Sequence, residues 1–174
     1  KTRQFAQNAI DAGALAVISE VELGLSNVWV CPEVRYLMGE WQKQYLQAVD
    51  PVTPLRGIAV TGTNGKTTIS RLIAELISFQ GKGCAVMGTT GNGILPNLTP
   101  STHTTLDALQ LQQALHDYAK QGAKLVALEA SSHGLEQGRL NGCDIEIAAY
   151  SNLSRDHLDY HGTLEAYAEA KALL

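Results

Sequence analysis

Short apolar runs alternate along the chain with segments in which apolar residues recur every three or four positions. The apolar runs predict strands over residues 15–18, 28–30, 57–60, 84–87, 125–128 and 145–150. The periodic segments predict helices over residues 4–12, 34–48, 67–80, 106–121 and 163–174. The remaining long stretches are predicted to be loops and cover residues 88–104, 130–141 and 151–162. Because strands alternate with helices, we expect an α/β fold with a doubly wound, mostly parallel, three-layer sheet.

A glycine-rich stretch with the sequence TGTNGKTT, residues 61–68, joins the third predicted strand to the third predicted helix. Gly62 and Gly65 let the backbone turn and approach an anion closely. The loop and the first N–H groups of the helix then point at phosphate oxygens. Lys66 brings a cation to the terminal phosphates, and Thr67 offers a hydroxyl oxygen to magnesium. The stretch therefore predicts a phosphate-binding site.

This loop differs from the common phosphate-loop pattern G-x-x-x-x-G-K-[ST], which would need glycine where the chain has Val60. It is therefore a shorter variant. The alternative is a turn of glycine, threonine and asparagine without a ligand, and the Gly-Lys-Thr triplet between strand and helix argues against it.

Further candidate groups follow other predicted strands. Glu129 directly follows the predicted strand 125–128. Phosphate-loop enzymes place a magnesium ligand or a water-positioning acid at this position. The alternative is a glutamate that faces solvent at the end of the strand. The polar loop at 151–162 carries two ligand-type pairs, which are Asp156 with His157 and Asp159 with His161. They predict a metal or nucleotide site, or else a solvated loop with an aspartate helix cap. Ligands bind at the carboxyl ends of parallel strands, so we expect these groups to share a cleft with the glycine loop.

Three other features have simpler interpretations. Ser131 and His133 are close in sequence, but no G-x-S-x-G elbow surrounds them, so substrate hydrogen bonding is favoured over a hydrolytic nucleophile. Lys171, taken alone, is expected to be an exposed lysine on a helix. The aromatic residues of helix 34–48 are expected to pack in the core; they are Tyr36, Trp41 and Tyr45.

Composition narrows the class of protein. The 174 residues are 45% hydrophobic and 17% charged, which is typical of a folded globular chain. The net charge is -4 and the basic residues are scattered, so we do not expect nucleic acid as a partner. No apolar run approaches the roughly eighteen residues of a membrane span, so we expect no membrane partner either. Three distant cysteines without metal-ligand spacing predict free thiols in a reducing compartment.

The two prolines of residues 50–54 predict a stiff linker and a domain boundary.

Three segments together resemble the motifs of the Mur ligases: residues 62–68, 129–135 and 152–162. The resemblance is strongest to the members that add the third peptide residue to UDP-N-acetylmuramoyl-L-alanyl-D-glutamate. It implies a cytoplasmic, ATP-dependent amide ligase of peptidoglycan precursor synthesis. In this family the substrate carboxylate is first phosphorylated to an acyl phosphate, and the amine of the incoming amino acid then displaces phosphate. That amino acid is meso-diaminopimelate or L-lysine, and general resemblance favours meso-diaminopimelate.

The resemblance also implies roles for individual residues. The ATP phosphates would be held by Gly62, Thr63, Asn64, Gly65, Lys66, Thr67 and Thr68. Two magnesium ions would be bound, the first by Thr67 and Glu129 and the second by His157 and a carbamylated Lys171. The residues implied for catalysis are Lys66, Glu129, His157 and Lys171. The UDP-muramoyl-dipeptide would be bound by Thr104, Thr105, Ser131, Gln137 and Arg139.

Family architecture predicts the domain organisation. Residues 1–50 would be part of an N-terminal UDP-substrate-binding domain, of the smaller α/β type. Residues 51–56 would be a linker, and residues 57–174 the N-terminal part of a central ATP-binding domain of the P-loop ATPase type. The C-terminal, amino-acid-binding domain would be absent, so the chain by itself is expected to be an inactive fragment. The alternatives are a nucleotide-binding module without catalysis and a sibling ligase with another acceptor.

Overall fold

The computed structural model describes residues 1–101 and 103–174. In these residues the helices are α1 (Thr2–Asp11), α2 (Val34–Val49), α3 (Lys66–Phe79), α4 (Ala108–Lys120), α5 (Ser132–Glu136), α6 (Leu158–His161) and α7 (Leu164–Ala172). The strands are β1 (Val17–Ser19), β2 (Val28–Val30), β3 (Arg56–Thr61), β4 (Cys84–Gly88), β5 (Gly91–Ile94), β6 (Asn97–Thr99), β7 (Leu125–Glu129) and β8 (Asp144–Tyr150).

The strands form two sheets. Strands β1 and β2 make a small parallel pair, and the other six form one sheet in the order β6-β5-β4-β7-β3-β8. Strands β4, β7, β3 and β8 are parallel, whereas β5 and β6 add an antiparallel hairpin at one edge. The prediction of a mostly parallel α/β sheet is therefore confirmed.

Alternating side chains of the central strands pack against helices on opposite faces of the sheet. Val86 of β4 packs in one cluster with Ala74 of α3. The Ala74 side chain has no exposed surface. Met87, the neighbour of Val86, points the other way and packs in a cluster with Leu111 of α4. Because successive side chains of a strand alternate between faces, this pattern buries both sides of the sheet and produces three layers.

Strand β7 lies between β3 and β4, so the direction of the chain connections reverses at the β3–β7 boundary. From β3 the chain runs through α3 to β4 on one side, and from β7 it runs through α5 to β8 on the other. Val60 of β3 is the register partner of Glu129 of β7. The glycine loop after β3 therefore starts beside Glu129, at the kind of switch point where doubly wound sheets bind ligands.

Helix α2 packs against the central unit through a close backbone approach. A Cβ atom on Gly39 would lie 2.0 Å from the carbonyl oxygen of Asn141, so only glycine fits there. The Asn141 amide nitrogen donates to the carbonyl oxygen of Tyr36 at 2.9 Å. The boundary expected at residues 51–56 remains a prediction.

The expectation that the aromatic residues of α2 pack in the core is wrong. Tyr36, Trp41 and Tyr45 are 50%, 40% and 61% exposed, whereas Leu46 is buried. Tyr36 meets the central unit at Gly138, where a Cβ atom would lie 2.7 Å from Cδ1 of its ring, but half of its surface stays exposed.

Three predicted loops contain regular structure. Residues 88–104 include the hairpin strands β5 and β6, residues 130–141 include α5, and residues 151–162 include α6. The hairpin lacked a strand pattern because Gly91 and Gly93 have φ values of +125° and +155°, which favour glycine over residues with strong strand propensity. Thr102, within the first of these stretches, lies outside the described residues.

Two expectations from composition can be compared with the fold. Within the described residues, no helix is both long and apolar enough to cross a membrane. Cys31, Cys84 and Cys143 are free thiols, as predicted.

Candidate active site

The glycine loop connects β3 to α3 through two left-handed glycines. Gly62 has φ +137°, and a Cβ atom there would lie 2.0 Å from the hydroxyl oxygen of Ser151. Gly65 has φ +84° and forms the N-cap of α3 without a side-chain cap. The first N–H groups of α3 are therefore left for an anion, with the helix dipole adding to their attraction.

The loop after β8 clamps the glycine loop. The backbone N–H of Asn64 donates to Asn152 Oδ1 at 3.0 Å, and Asn152 Nδ2 donates back to the Asn64 carbonyl at 3.0 Å. The N–H of Thr63 donates to the Asn152 carbonyl at 2.9 Å, and the N–H of Ser154 donates to Thr63 Oγ1 at 3.0 Å. These bonds join two segments almost ninety positions apart into one structural unit.

Two lysine side chains converge on the first turn of the loop. Lys66 Nζ donates to the carbonyl oxygens of Gly62 at 2.9 Å and Thr63 at 3.0 Å. Lys171 Nζ donates to the same Gly62 oxygen at 2.8 Å and lies 4.3 Å from the ring centroid of Tyr167. Lys171 is only 1% exposed. The expectation of an exposed helix lysine is therefore wrong, because α7 turns this residue into the site.

Both lysines lose proton affinity through their surroundings. Burial lowers the pKa of Lys66, and the positive charge of Lys171 lowers it further. Burial lowers the pKa of Lys171 to about 8, against a smaller opposing effect of Asp156. A measurable share of neutral Lys171 amine is thus present near neutral pH, and a neutral amine is nucleophilic.

Glu129 is buried at the end of β7. The alternative interpretation, a glutamate that faces solvent, is therefore wrong. Its Oε1 accepts from the N–H of Thr89 at 2.8 Å, and its Oε2 accepts from the Thr89 hydroxyl at 3.2 Å. A Cβ atom on Gly88 would lie 2.1 Å from Oε1, so this glycine makes room for the carboxylate. The charge of Glu129 opposes the lowering of the Lys66 pKa, which links the two groups electrostatically.

His157 occupies an unusual backbone position before α6. It has φ +51°, the only positive φ of a non-glycine residue among those that the structure describes. Its ring centroid is 5.2 Å from that of His133 and 6.1 Å from that of Tyr167. Left-handed non-glycine residues are uncommon and cluster at functional sites, so the geometry marks His157 as a candidate.

The two His-Asp pairs of the loop differ in environment. His161 has a buried side chain whose Nε2 lies 3.0 Å from the hydroxyl oxygen of Ser132, so it braces α5. His157 is half exposed and lies 3.7 Å from the Asp156 carboxylate. Of the two histidines, His157 is therefore the more accessible to a ligand.

The residues predicted to bind the muramoyl substrate form one connected group. Thr105 Oγ1 donates to the carbonyl oxygen of Glu129 at 2.8 Å and lies 3.1 Å from the Ser131 hydroxyl. Arg139 Nη1 donates to the Thr105 carbonyl at 2.8 Å, and its Nε and Nη2 donate to Gln137 Oε1 at 3.0 and 2.7 Å. This network attaches the predicted substrate contacts to the strand that carries Glu129.

Two further contacts refine this group. The hydroxyl oxygens of Thr104 and Thr89 lie 3.3 Å apart, and the Thr89 hydroxyl donates to Glu129 Oε2. The Ser131 hydroxyl accepts the N–H of Gly134 at 3.1 Å and thereby caps α5. A capping role agrees with the argument against a Ser131 nucleophile.

The donor set expected for magnesium can be compared with the residues of the site. Among residues 1–101 and 103–174, no three His, Cys, Asp or Glu side chains come together as a metal-binding group. Magnesium is commonly held by one or two carboxylates together with phosphate oxygens and waters. The single carboxylate of Glu129, near the first turn of α3 where Thr67 lies, fits that type of donor set.

Tyr167 and Thr89 were not singled out from the sequence. Tyr167 is 1% exposed, and its hydroxyl donates to Thr63 Oγ1 at 3.3 Å while its ring packs on Lys171. Because residues four apart share a helix face, Tyr167 was recognisable as a neighbour of Lys171. Thr89 had no such signal, since its contact with Glu129 depends on the pairing of β4 with β7.

Comparisons with known proteins show the family of the chain. The sequence profile of the Mur ligase middle domain matches residues 60–174. A UDP-N-acetylmuramoyl-L-alanyl-D-glutamate–2,6-diaminopimelate ligase of Vibrio cholerae serotype O1 is 47% identical over 179 residues, covering 97% of this chain and 35% of the relative. A solved structure described by the same ligase name is 81% identical with a TM-score of 0.94, covering 99% of this chain and 35% of its own.

A more distant structure supports the fold alone. It is a MurF ligase from Thermotoga maritima in complex with ADP, with a TM-score of 0.56 at 18% identity, covering 98% of this chain and 36% of its own.

The chain spans about a third of the length of the curated relatives it matches. The profile match contains the glycine loop, Glu129, His157 and Lys171. The chain therefore belongs to the Mur ligase family, and residues 60–174 correspond to its middle domain.

Proposed function

We propose that this chain is the ATP-binding portion of a longer ligase of peptidoglycan precursor synthesis. The ligase adds meso-diaminopimelate to UDP-N-acetylmuramoyl-L-alanyl-D-glutamate, the reaction for which the relatives are named. One observation carries the proposal: Lys66 of the glycine loop and Lys171 of α7 meet at the carbonyl oxygen of Gly62, and the charge of the buried Glu129 acts on Lys66. By itself the chain is proposed to bind nucleotide weakly and to ligate nothing.

Bound ATP would supply the γ-phosphoryl group that converts the substrate carboxylate to an acyl phosphate. The incoming amine then forms the amide bond and displaces inorganic phosphate. Phosphoryl transfer needs alignment and charge neutralisation more than covalent help from the protein. Within residues 62–68, the first N–H groups of α3 and the Lys66 ammonium would provide this, while the N–H groups of Thr63 and Asn64 are bound by Asn152.

The metal ligands are proposed in two groups. Thr67 and Glu129 would hold one magnesium ion beside the phosphates. His157 and Lys171 would hold a second, after the Lys171 amine has become a carbamate. In that step the neutral amine nitrogen attacks the carbon of CO2 and releases a proton to solvent, which replaces a cation by an anionic oxygen ligand.

The burial of Lys171, and its pKa of about 8, support this modification. With 13C-labelled bicarbonate at pH 8.5, NMR should show a carbamate carbon in the wild type. The signal should vanish in Lys171→Met and persist in Lys82→Met, which alters an exposed lysine. The same signal in both variants would exclude Lys171 as its source.

The other end of the site is proposed to bind the UDP-muramoyl-dipeptide. Its contacts would come from the connected group of Thr104, Thr105, Ser131, Gln137 and Arg139. We propose that residues 1–50 contribute to the UDP-substrate site, and that a further domain of the longer protein selects the amino acid. A cytoplasmic location remains a prediction.

Product analysis with the full-length protein tests the function. Phosphate release should require ATP, the UDP-muramoyl-dipeptide and meso-diaminopimelate together, with the tripeptide product seen by mass spectrometry. Phosphate release with L-lysine in place of meso-diaminopimelate would show that the ligase adds lysine. Phosphate release only with another UDP-muramoyl substrate would indicate a sibling ligase. Nucleotide affinity without any dependent release would favour a non-catalytic module.

A further inference from the structure

An open cleft of about 330 Å³ lies between the first turn of α2 and the segment that follows α5. Arg35 and Met38 line it from α2, and Gln137 and Arg139 line it from the opposite wall. Gln137 and Arg139 are proposed substrate contacts, but nothing above assigns a role to the α2 side. The cleft thus has a second wall with its own cation.

The lining of the cleft favours an anion. Arg35 and Arg139 face it with two permanent positive charges, and Asp107 is the acidic residue that lines it. Asp107 Oδ1 is already used, because it accepts from the N–H groups of Leu109 and Gln110 as the N-cap of α4. The helix dipole of α4 stabilises that carboxylate in place. The two guanidinium groups already donate to other partners, Arg35 to Glu20 and Arg139 to Gln137 and Thr105, but each has more N–H donors than these bonds use.

The two walls have a fixed spacing. Gly39 of α2 packs directly on the carbonyl of Asn141, and Asn141 Nδ2 donates to the Tyr36 carbonyl. Asn141 belongs to the same short segment as Arg139. Arg35, one residue before Tyr36, is therefore held at a defined position relative to Arg139, as preorganised binding requires.

Arg35 is also oriented within its own wall. Its Nε donates to Glu20 Oε1 at 3.1 Å, and its Nη2 donates to Glu20 Oε2 at 3.3 Å. Among the described residues no hydrogen bond uses the Nη1 group. A guanidinium presents five N–H donors in a planar fork, so Nη1 and the second Nη2 hydrogen remain for phosphate or carboxylate oxygens.

We propose that Arg35 is a substrate-binding residue of the ligase, which contacts an anionic oxygen of the UDP-muramoyl-dipeptide across the cleft from Arg139. The proposal rests on the proposed function. The substrate offers this chemistry twice, in the diphosphate of its UDP group and in the carboxylates of its dipeptide. Glu20 is then a positioning residue, because it acts through Arg35.

The test compares Arg35→Gln with wild type in the full-length ligase. Loss of one charge-assisted contact should raise KM for the UDP-muramoyl-dipeptide about tenfold, while kcat and KM for ATP stay near their wild-type values. Arg71→Gln is the matched control, because Arg71 is also an exposed arginine in an ion pair, with Glu75 on α3. Its kinetic constants should not change.

Binding of UDP and of the complete substrate separates the two anions. Weaker binding of UDP itself by Arg35→Gln assigns the contact to the diphosphate, and weaker binding of the complete substrate alone assigns it to a carboxylate. Unchanged affinity for both ligands, with a clear loss in Arg139→Gln, overturns the role of Arg35 and leaves the ligase intact. Absence of substrate-dependent phosphate release in the wild type refutes the proposed function instead.

Discussion

Lys66 and Lys171 donate hydrogen bonds to the same acceptor, the carbonyl oxygen of Gly62, at 2.9 and 2.8 Å. Two cations at one oxygen repel each other, and the charge of Lys171 accordingly lowers the pKa of Lys66. Conversion of Lys171 to a carbamate would replace a donor by an acceptor and remove this repulsion. Lys66, the proposed phosphate-binding cation, is thus electrostatically linked to the chemical state of Lys171 on α7.

Removal of the Lys66 ammonium should slow the ligase strongly. In full-length Lys66→Ala we expect kcat to fall by about 10²–10³, because roughly 3–4 kcal/mol of transition-state charge stabilisation is lost. Phosphate release under saturating substrates measures this. Lys82→Ala, at an exposed turn position, is the control and should keep wild-type turnover. Near-normal rates in Lys66→Ala would remove that residue from the mechanism.

Stability should depend on pH through Lys171. Below about pH 8 this lysine is protonated in the folded and unfolded chain, so its burial destabilises the fold by a constant amount. Between about pH 8 and its ordinary pKa of 10.5, the folded protein has released a proton that the unfolded chain still binds. The free energy of unfolding contributed by this group therefore rises with pH in that window.

Urea unfolding of wild type and Lys171→Met in CO2-free buffers tests this dependence. Burial raises the pKa of Cys84 to about 11 and of Cys143 to about 12, which destabilises both proteins equally as pH rises above 9. The difference between the two proteins reports the titration of Lys171 together with its repulsion of Lys66, and wild type should gain relative to the variant from about pH 8 to 10. Parallel stability curves would contradict the burial of a titrating ammonium.

Gly88→Ala should act through Glu129. The new Cβ atom would occupy space 2.1 Å from Oε1, so the carboxylate must move away from its place beside the glycine loop. We expect about tenfold weaker binding of a magnesium–ATP analogue. In a Glu129→Ala background the clashing atoms are gone, and the same substitution should have no further effect. An equal loss in both backgrounds would show that Gly88 acts independently of Glu129.

Asn152→Ala should weaken ATP binding by loosening the glycine loop. It removes two hydrogen bonds to the backbone of Asn64, each worth about 1 kcal/mol at most in a partly exposed site. A roughly tenfold increase in Kd for an ATP analogue is expected, measured by calorimetry. Asn8→Ala on α1 serves as the reference substitution. Unaltered affinity in Asn152→Ala would mean that the loop keeps its shape without the clamp.

The order of strands and helices was predictable because each central element is long and strongly patterned. Strand β3, the glycine loop and α3 follow from an apolar run, two glycines and helical periodicity. The hairpin β5–β6 was not predictable, since its strands are short and glycine-containing. The pattern of apolar and polar residues identifies a helix or strand that buries one face in the core. It does not identify a strand that is defined only by its hydrogen bonds to a neighbouring strand.

The candidate site was predictable in its components and less so in its contacts. The glycine loop, Glu129 and His157 have local signals, which are strand ends and a ligand-rich loop. The burial of Lys171 has none, because it depends on the carbonyl of Gly62, 109 positions earlier. Tertiary contacts of that range decide burial, and burial decides the pKa that the sequence could not supply.

Synthesis of the chain from its N-terminus separates these partners in time. A nascent chain that stops before Asn152 contains the complete glycine loop but neither its asparagine clamp nor the helix that carries Tyr167 and Lys171. Strand β7 must also enter between β3 and β4, which are both made before it. Asn152 and Lys171 can therefore contact the glycine loop only after they are synthesised, 88 positions after Asn64 and 109 positions after Gly62 respectively.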